Sequence, residues 1–367
     1  MKILIINGTY FPAQYGGASN MLYWLTKGLI SKNIKVQILT TSVGIDNKNI
    51  EGNWVNMKYG NIYYSKTKNL QFPLKLILKI PKLVIKNEII HVNGLFYPPS
   101  LIAAIWAFFF NKKIIWSVHG VLSKKALEKN RFIKKFFLKI IKIINYKITF
   151  HCTNENEVND TRLFFTKAKI IKIPIYMELP KKLTLSKKNQ ICYLGRIHPI
   201  KGLENLIHAV KKSKTFKESN FKLIIAGDKK NDFAKKLEKE VNRIGLSKKI
   251  IFIGHVSGKD KQNLLAESKW LILPSFSENF GIVVIEALAQ STPVIASHFS
   301  PWKSLINNSS GFWISNKTDA ISRKLDEVVG FNLKKQKLFE SKAFLHANTK
   351  FNIYENTDTW ISAYQSL

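Results

Sequence analysis

Residues 275–297 read SFSENFGIVVIEALAQSTPVIAS, with Glu278 and Glu286 eight positions apart in an otherwise apolar run. Burying a charged carboxylate is costly unless something pairs with it, so each glutamate needs a ligand or a neighbouring lysine. Upstream, GRIHPIKG sets Arg196 and Lys201 five residues apart after an apolar run. A planar guanidinium fork and an ammonium point charge at that spacing could clamp a diphosphate, or could simply be solvated in a lysine-rich chain. IIAGD and IFIGHV each end an apolar run in glycine, where the missing side chain lets a ligand approach the backbone. The β-branched run from Ile282 to Ile285 favours a strand by propensity. Gly281 before it and EALAQ after it favour a buried helix instead. Free N–H groups at Asn279, Phe280 and Gly281 would then form an anion site, with Glu286 about one and a half turns inside.

The elements around these motifs alternate. KILII (2–6), KVQILTT (35–41), EIIHVN (88–93), KIIWSVH (113–119), KITFHCT (147–153) and KIIKIP (169–174) read as short buried strands, several separated by helical lengths of chain. That rhythm predicts an α/β fold with a doubly wound parallel sheet. PIYMELPKKLTLSKKNQ has little periodicity and reads as a linker, placed at 176–190. The rhythm then restarts with ICYLGR, KLIIAG, KIIFIG, WLILP and PVIAS. The expectation is a first domain over 1–175 and a second over 191–349, with a cleft between them for a shared ligand. A final helix over about 350–367 is expected to pack back on the first domain.

The chain has 367 residues, enough for two domains with separate cores, and 46% of them are hydrophobic, which excludes a mainly disordered protein. Lys and Arg number 58 against 24 Asp and Glu, a net charge of +34. Such a surplus favours polyanions, namely nucleic acid, anionic lipid or phosphorylated ligands, although abundant Lys, Ile and Asn also follow from AT-rich coding. Cys152 and Cys192 stand far apart without CxxC spacing, which argues against a disulfide framework or zinc site and for a reducing compartment, by default the cytoplasm. The N-terminus reads as a strand running into a loop, not as an export signal. The longest apolar run, LIAAIWAFFF (101–110), is about half of the ~20 residues a spanning helix needs and is expected to be a buried helix.

Taken together, GRxxxxKG, AGD, FxG before a basic helix, PSxxENFGxxxxEAxAxxxPVIAS and the earlier FPxxxGG and HG resemble family 4 of the retaining glycosyltransferases, in the same order and across nearly the whole chain. The resemblance implies the GT-B fold, two Rossmann-like domains facing each other across a donor cleft. It implies that Arg196 and Lys201 hold the diphosphate of a UDP- or GDP-linked sugar and that Glu286 bonds the ribose hydroxyls. Glu278 would meet donor-sugar hydroxyls near the anomeric carbon, and the backbone of Asn279, Phe280 and Gly281 would position sugar and phosphate. His255 and Val256 would meet the base by their backbone. In the first domain, Gly16 and Gly17 would lie at the phosphate or acceptor side, and His119 would stand over the sugar. No Asp-x-Asp motif occurs, so neither a metal nor another cofactor is expected. Departures from the pattern are IPIYM (173–177) for a common Pro-Asn-Gly turn, Ser291 for a common glycine, and HFSPWKSLINNSSGFWI for paired glycines near the donor phosphates. SPWKSL…GFW is similar to members that build bacterial surface polysaccharide or lipopolysaccharide.

Residues 1–175 carry 27 Lys and Arg against 7 Asp and Glu. Within them, 130–147 sets Arg131, Lys134, Lys135, Lys139 and Lys142 along one helical face, and 72–86 repeats the device with Lys75, Lys79, Lys82 and Lys86. Solvated lysines on core helices are one reading. Docking on an anionic bilayer, at about 1 kcal/mol per basic residue near the surface, is the other, and a lipid-linked saccharide acceptor would call for it. The whole reading is a retaining, metal-independent glycosyltransferase on the cytoplasmic face of the plasma membrane. A soluble GT-B transferase making a storage glucan or small glycoside is the first alternative. A basic nucleic-acid-binding protein is a remote one, since no aromatic RNA-binding signature or zinc spacing occurs.

Overall fold

The computed structural model describes residues 1–13, 16–45, 50–128 and 130–367, with residues 16–18 and 125 described by backbone only. The apolar runs form two parallel sheets, one in each of two compact units, 1–178 with 352–367 and 179–351. Each unit has its own apolar core.

In the first unit the strands are β1 (Lys2–Ile6), β2 (Lys35–Thr41), β3 (Trp54–Met57), β4 (Gly60–Ser65), β5 (Ile89–Asn93), β6 (Lys113–Ser117), β7 (Ile148–Cys152) and β8 (Lys169–Lys172). Their order is β3-β4-β2-β1-β5-β6-β7-β8, parallel throughout except for the β3–β4 pair. Every residue of β5 and β7 is buried, as helices on both faces of a parallel sheet require, and β5 is correspondingly rich in Ile and Val. The β3–β4 hairpin escapes a sequence reading. It turns through Lys58 and Tyr59 rather than Asn-Gly or Asp-Gly, and β3 is nowhere fully buried.

The run expected as a buried helix is the helix Pro98–Phe109, started by two prolines whose fixed φ suits a first turn. Only one side of it is buried. Leu101, Ala103, Ala104 and Ala107 face the core, whereas Trp106, Phe109 and Phe110 are exposed. Among the described residues no helix is long and apolar enough to cross a membrane.

The chain returns to the first unit at its end. Ile353 N–H donates to the Met177 carbonyl at 2.9 Å, and the helix Ile353–Gln365 packs on the helix Gly16–Ser31. Gly28 allows that approach, because a Cβ there would lie 2.4 Å from Thr357 Oγ1 and 2.6 Å from Ile353 Cγ1.

The second unit holds β9 (Lys188–Leu194), β10 (Lys222–Ala226), β11 (Ile250–Gly254), β12 (Ser268–Leu273), β13 (Val294–Ser297) and β14 (Gly311–Ile314). They form one parallel sheet, in the order β11-β10-β9-β12-β13-β14. β9 begins at Lys188, inside the stretch expected as linker. Lys188 and Gln190 are polar but already pair with Ser268 and Lys222, so an apolar-run reading starts the strand three residues late. β14 lies in what reads as a loop. Gly311 is required there, because a Cβ would sit 2.0 Å from the Val294 carbonyl oxygen.

Candidate active site

The site motifs of the second unit gather at the C-terminal ends of β9, β10 and β12, where a parallel sheet leaves room for a ligand. Gly195 follows β9 and Gly227 follows β10, and a Cβ on Gly227 would meet the Gly195 carbonyl oxygen at 2.2 Å. The bare backbone opens a cavity of about 670 Å³ that Arg196, His198, Asp228, Asn231, His255 and Val256 help to line. Arg196 is exposed, and its carbonyl accepts from the Tyr193 hydroxyl at 2.8 Å. The structure thus brings Arg196, His255 and Val256 together in one concavity of ligand size.

Lys201 is not among the residues lining that cavity. It ends a 3₁₀ turn, Pro199–Lys201, and Gly202 follows at φ 69°. A side chain at 202 would put Cβ 2.2 Å from the Pro274 carbonyl oxygen, and Phe276 N–H donates to the Ile200 carbonyl at 2.8 Å. These contacts clamp the loop after β9 to the loop after β12. Lys201 Nζ consequently lies 2.6 Å from Glu278 Oε2, with both side chains 13% exposed. Ser275 Oγ adds a bond to the same oxygen at 3.3 Å.

The run after Gly281 is a helix, Ile282–Ala289, as Gly281 and EALAQ suggest and β-propensity does not. Its start differs from expectation. Gly281 is the N-cap, at φ 81°, so the open first-turn N–H groups belong to Gly281, Ile282 and Val283 rather than to Asn279 and Phe280. Phe280 is a core anchor. Its ring packs edge-on against Trp302 at 5.3 Å, and its carbonyl accepts from Trp302 Nε1. Asn279 lies in the turn between Glu278 and Phe280. Glu286 pairs with Lys261 Nζ at 2.6 Å, from the neighbouring helix Gly258–Glu267. Both glutamates therefore have lysine partners.

In the first unit His119 follows β6 at φ 54°, a left-handed conformation uncommon outside glycine. Its Nε2 donates to Asn93 Oδ1 at 3.2 Å, and burial lowers its pKa to about 4. Behind it runs a chain of buried hydrogen bonds whose direction is set at one end. The Ile173 carbonyl can only accept, so His151 Nε2 carries the proton and Nδ1 accepts from Ser117 at 2.8 Å. Ser117 then accepts from His91 Nε2 at 2.8 Å, and His91 Nδ1 accepts from Tyr364 at 2.7 Å. Both histidines are neutral in this scheme, and burial pushes both pKa values down, that of His151 to about 3. Gly16 and Gly17 head the helix Gly16–Ser31, and their surroundings lie outside the described residues.

The model for glycosyl transferases group 1 matches residues 177–344, and that for Glycosyltransferase Family 4 matches residues 15–174. The chain belongs to glycosyltransferase family 4. An uncharacterized glycosyltransferase of Methanocaldococcus jannaschii is 31% identical over 46% of this chain and 41% of its own length. The O-antigen chain mannosyltransferase RfbU of Salmonella typhimurium is 24% identical over 69% of this chain and 61% of its own, so the chain spans under two thirds of either relative. Among solved structures, Anabaena HepE in complex with UDP superposes with a TM-score of 0.77 at 16% identity, covering 100% of both chains. Sucrose-phosphate synthase from Thermosynechococcus elongatus superposes at 0.74, with 16% identity over 100% of this chain and 98% of that one. The fold of this glycosyltransferase is GT-B, two Rossmann-like parallel-sheet domains.

Two elements of the glycosyltransferase escape the sequence motifs. Lys261, which pairs with Glu286, sits in the basic helix after FxG but is one of many lysines. Trp302 lies in the loop that replaces the paired glycines and fixes Phe280. The basic helix of the first unit also differs from expectation. In Arg131–Ile144, Phe137, Leu138, Ile141 and Ile144 are buried. Lys134 is on that side rather than on the basic face, since its Nζ bonds the Ala126 carbonyl and lies 5.4 Å from the Phe96 ring centroid. Outward point Lys135, Lys139 and Lys142, and with them Phe132 at 87% exposure, Phe136 and Ile143.

Proposed function

We propose that this glycosyltransferase moves a sugar from a UDP- or GDP-linked donor, with retention at the anomeric carbon and without a metal, to a lipid-linked saccharide in cell-surface polysaccharide synthesis. The observation that carries the reading is the second unit's strand-end constellation: glycine-floored cavity, exposed Arg196, and Lys201 held against Glu278 beside an uncapped helix N-terminus. Leaving-group departure loads negative charge on a diphosphate, and prepositioned cations and N–H dipoles stabilise that charge as it develops. RfbU, an O-antigen chain mannosyltransferase, supports the acceptor class, and the UDP complex of HepE supports the donor class. His119, with Nε2 committed to Asn93, is assigned the donor sugar's primary hydroxyl.

Work at the cytoplasmic face of an anionic membrane is part of the reading. The outward side of Arg131–Ile144 mixes lysines with Phe132, Phe136 and Ile143, and Trp106, Phe109 and Phe110 are exposed at the C-terminal end of the helix Pro98–Phe109. Apolar side chains flanked by lysines suit the headgroup boundary of a bilayer.

The test is a thermal-shift panel of UDP- and GDP-sugars, since a ligand that binds only the folded state raises its stability. Transfer from the stabilising donor to a lipid-diphosphate saccharide in EDTA follows, with the new linkage read by NMR. Expected are one stabilising donor, turnover in EDTA and retained configuration. An inverted linkage, a strict metal requirement or stabilisation by no nucleotide sugar would overturn the reading.

A further inference from the structure

The second lysine-rich stretch of the first unit does not form one amphipathic helix. Residues 72–86 break into two short helices, Leu74–Ile77 and Ile80–Lys86. Lys75, Lys79, Lys82 and Lys86 then line a single cavity of about 660 Å³ with Trp54 and Tyr63 of the β3–β4 hairpin. Trp54 is exposed, its ring 5.6 Å from that of Tyr63, and Lys79 Nζ stands 4.5 Å from the Tyr63 ring centroid. None of the four lysines forms an ion pair among the described residues, and nearby Glu51 is engaged by Lys66 at 3.6 Å.

Four like charges along one concave wall repel one another and focus a positive field, and a bound polyanion relieves both. The lysines are spread over two successive short helices, a longer array than a single phosphate can occupy. An exposed indole in the same wall supplies an apolar face against which the C–H side of a sugar ring packs. A bilayer meets a surface, whereas these charges line a hollow. The hollow also lies away from His119, because it involves Gln37, third residue of β2, and the hairpin at the sheet edge, whereas His119 follows the C-terminal end of β6.

We propose that this cavity is an accessory binding site for an acidic saccharide, a chain whose successive sugars carry carboxylate or phosphate groups. The inference rests on reading the protein as a transferase that extends a saccharide. It gives the enzyme a hold on a polyanionic chain apart from the reaction centre.

Calorimetric titration of the full chain with an oligogalacturonate, which carries a carboxylate on every sugar, tests the site. The same oligomer as its methyl ester, inorganic phosphate, and vesicles of phosphatidylglycerol and phosphatidylcholine are run beside it. The acid should bind with the ester about tenfold weaker or worse, and the K75Q/K82Q/K86Q variant should lose about tenfold or more in affinity for the acid. Trp54→Ala should weaken the oligomer while melting like the parent. Equal binding of ester and acid, an unaffected triple variant, or displacement of the oligomer by phosphate or vesicles charge for charge would overturn the site. Donor turnover on the same samples separates the two readings. An active parent that ignores the oligomer removes this site alone, and a parent that turns over no nucleotide sugar removes the transferase reading beneath it.

Discussion

Replacing Lys201 by Met tests whether the Lys201–Glu278 pair is as buried in energy as in geometry. The ions are 2.6 Å apart, each side chain 13% exposed, and without the ammonium the Glu278 carboxylate keeps, among the described residues, the Ser275 hydroxyl at 3.3 Å. Breaking a fully buried pair costs about 3–5 kcal/mol, and exposed pairs contribute about 0–1 kcal/mol. Residual solvent contact screens this one, so Lys201→Met should cost about 2–3 kcal/mol, or about 5–10 °C in the melting of a unit of this size. The K201M/E278Q double variant removes both charges and should regain most of that loss, leaving a coupling energy of about 1–3 kcal/mol. Urea or thermal melts followed by tryptophan emission read it directly, since Trp270 and Trp302 are buried in the same unit. Additive single and double variants, with coupling under about 0.5 kcal/mol, would refute the reasoning and make the pair a solvated contact.

Three further outcomes follow from the geometry. His91, His119 and His151 all have pKa values held below the ordinary 6.5, so the unfolded chain binds the extra protons and stability is lost as pH falls from about 6.5 toward 4. At pH 5 His119 and His151 should each cost the first unit about 2 kcal/mol, and melts from pH 8 to 5 that are flat would contradict the neutral assignment. Glu286→Gln should weaken nucleoside diphosphate binding about tenfold if the carboxylate reaches the ribose, whereas an unchanged affinity with a lower melting temperature would leave it as the partner of Lys261. Changing Phe132, Phe136 and Ile143 to Ser should abolish salt-resistant binding to anionic liposomes, and changing Lys135, Lys139 and Lys142 to Gln should remove the salt-sensitive part. Equal binding by both variants and the parent would refute membrane docking.

The sheet strands were legible in the sequence because a parallel strand buried on both faces writes itself as a run of Ile, Val and Leu, as in β1. Elements with one wet face were not. β3 mixes polar and apolar side chains, the first three residues of β9 are all polar, and β14 is only four residues long, so nothing local distinguishes them from loops. The helix after Gly281 was legible against its own β-branched composition because a glycine start and the EALAQ continuation outweigh single-residue propensity. Within the site, the resemblance to family 4 assigned Arg196 and Val256 to one donor, and both line one cavity. The resemblance could not supply partners. Which lysine meets which glutamate depends on the close approach of Gly202 to Pro274 and on the packing of two helices, both of which are long-range facts. The same limit hid the outward aromatics of Arg131–Ile144, since helical spacing names two faces and only packing says which one is wet.

The lysine pairs also divide the labour between the two cations of GRIHPIKG. Lys201 reaches a diphosphate only by leaving or sharing Glu278, whereas exposed Arg196 makes no ion pair among the described residues and is available at once. In the ground state the diphosphate should therefore be held mainly by the arginine. As the sugar–phosphate bond breaks and charge builds on the leaving oxygen, the attraction for the ammonium grows and the balance shifts away from the carboxylate. Arg196→Ala should then raise the Kd for nucleoside diphosphate about tenfold and KM for the donor with it. Lys201→Met should leave that Kd within about threefold and lower kcat by about a hundredfold, the mark of an interaction realised in the transition state. Titration with nucleoside diphosphate and steady-state kinetics on both variants decide the matter. A Lys201 variant that loses affinity as severely as the Arg196 variant, with kcat intact, would mean that the ammonium has already left Glu278 when the donor binds.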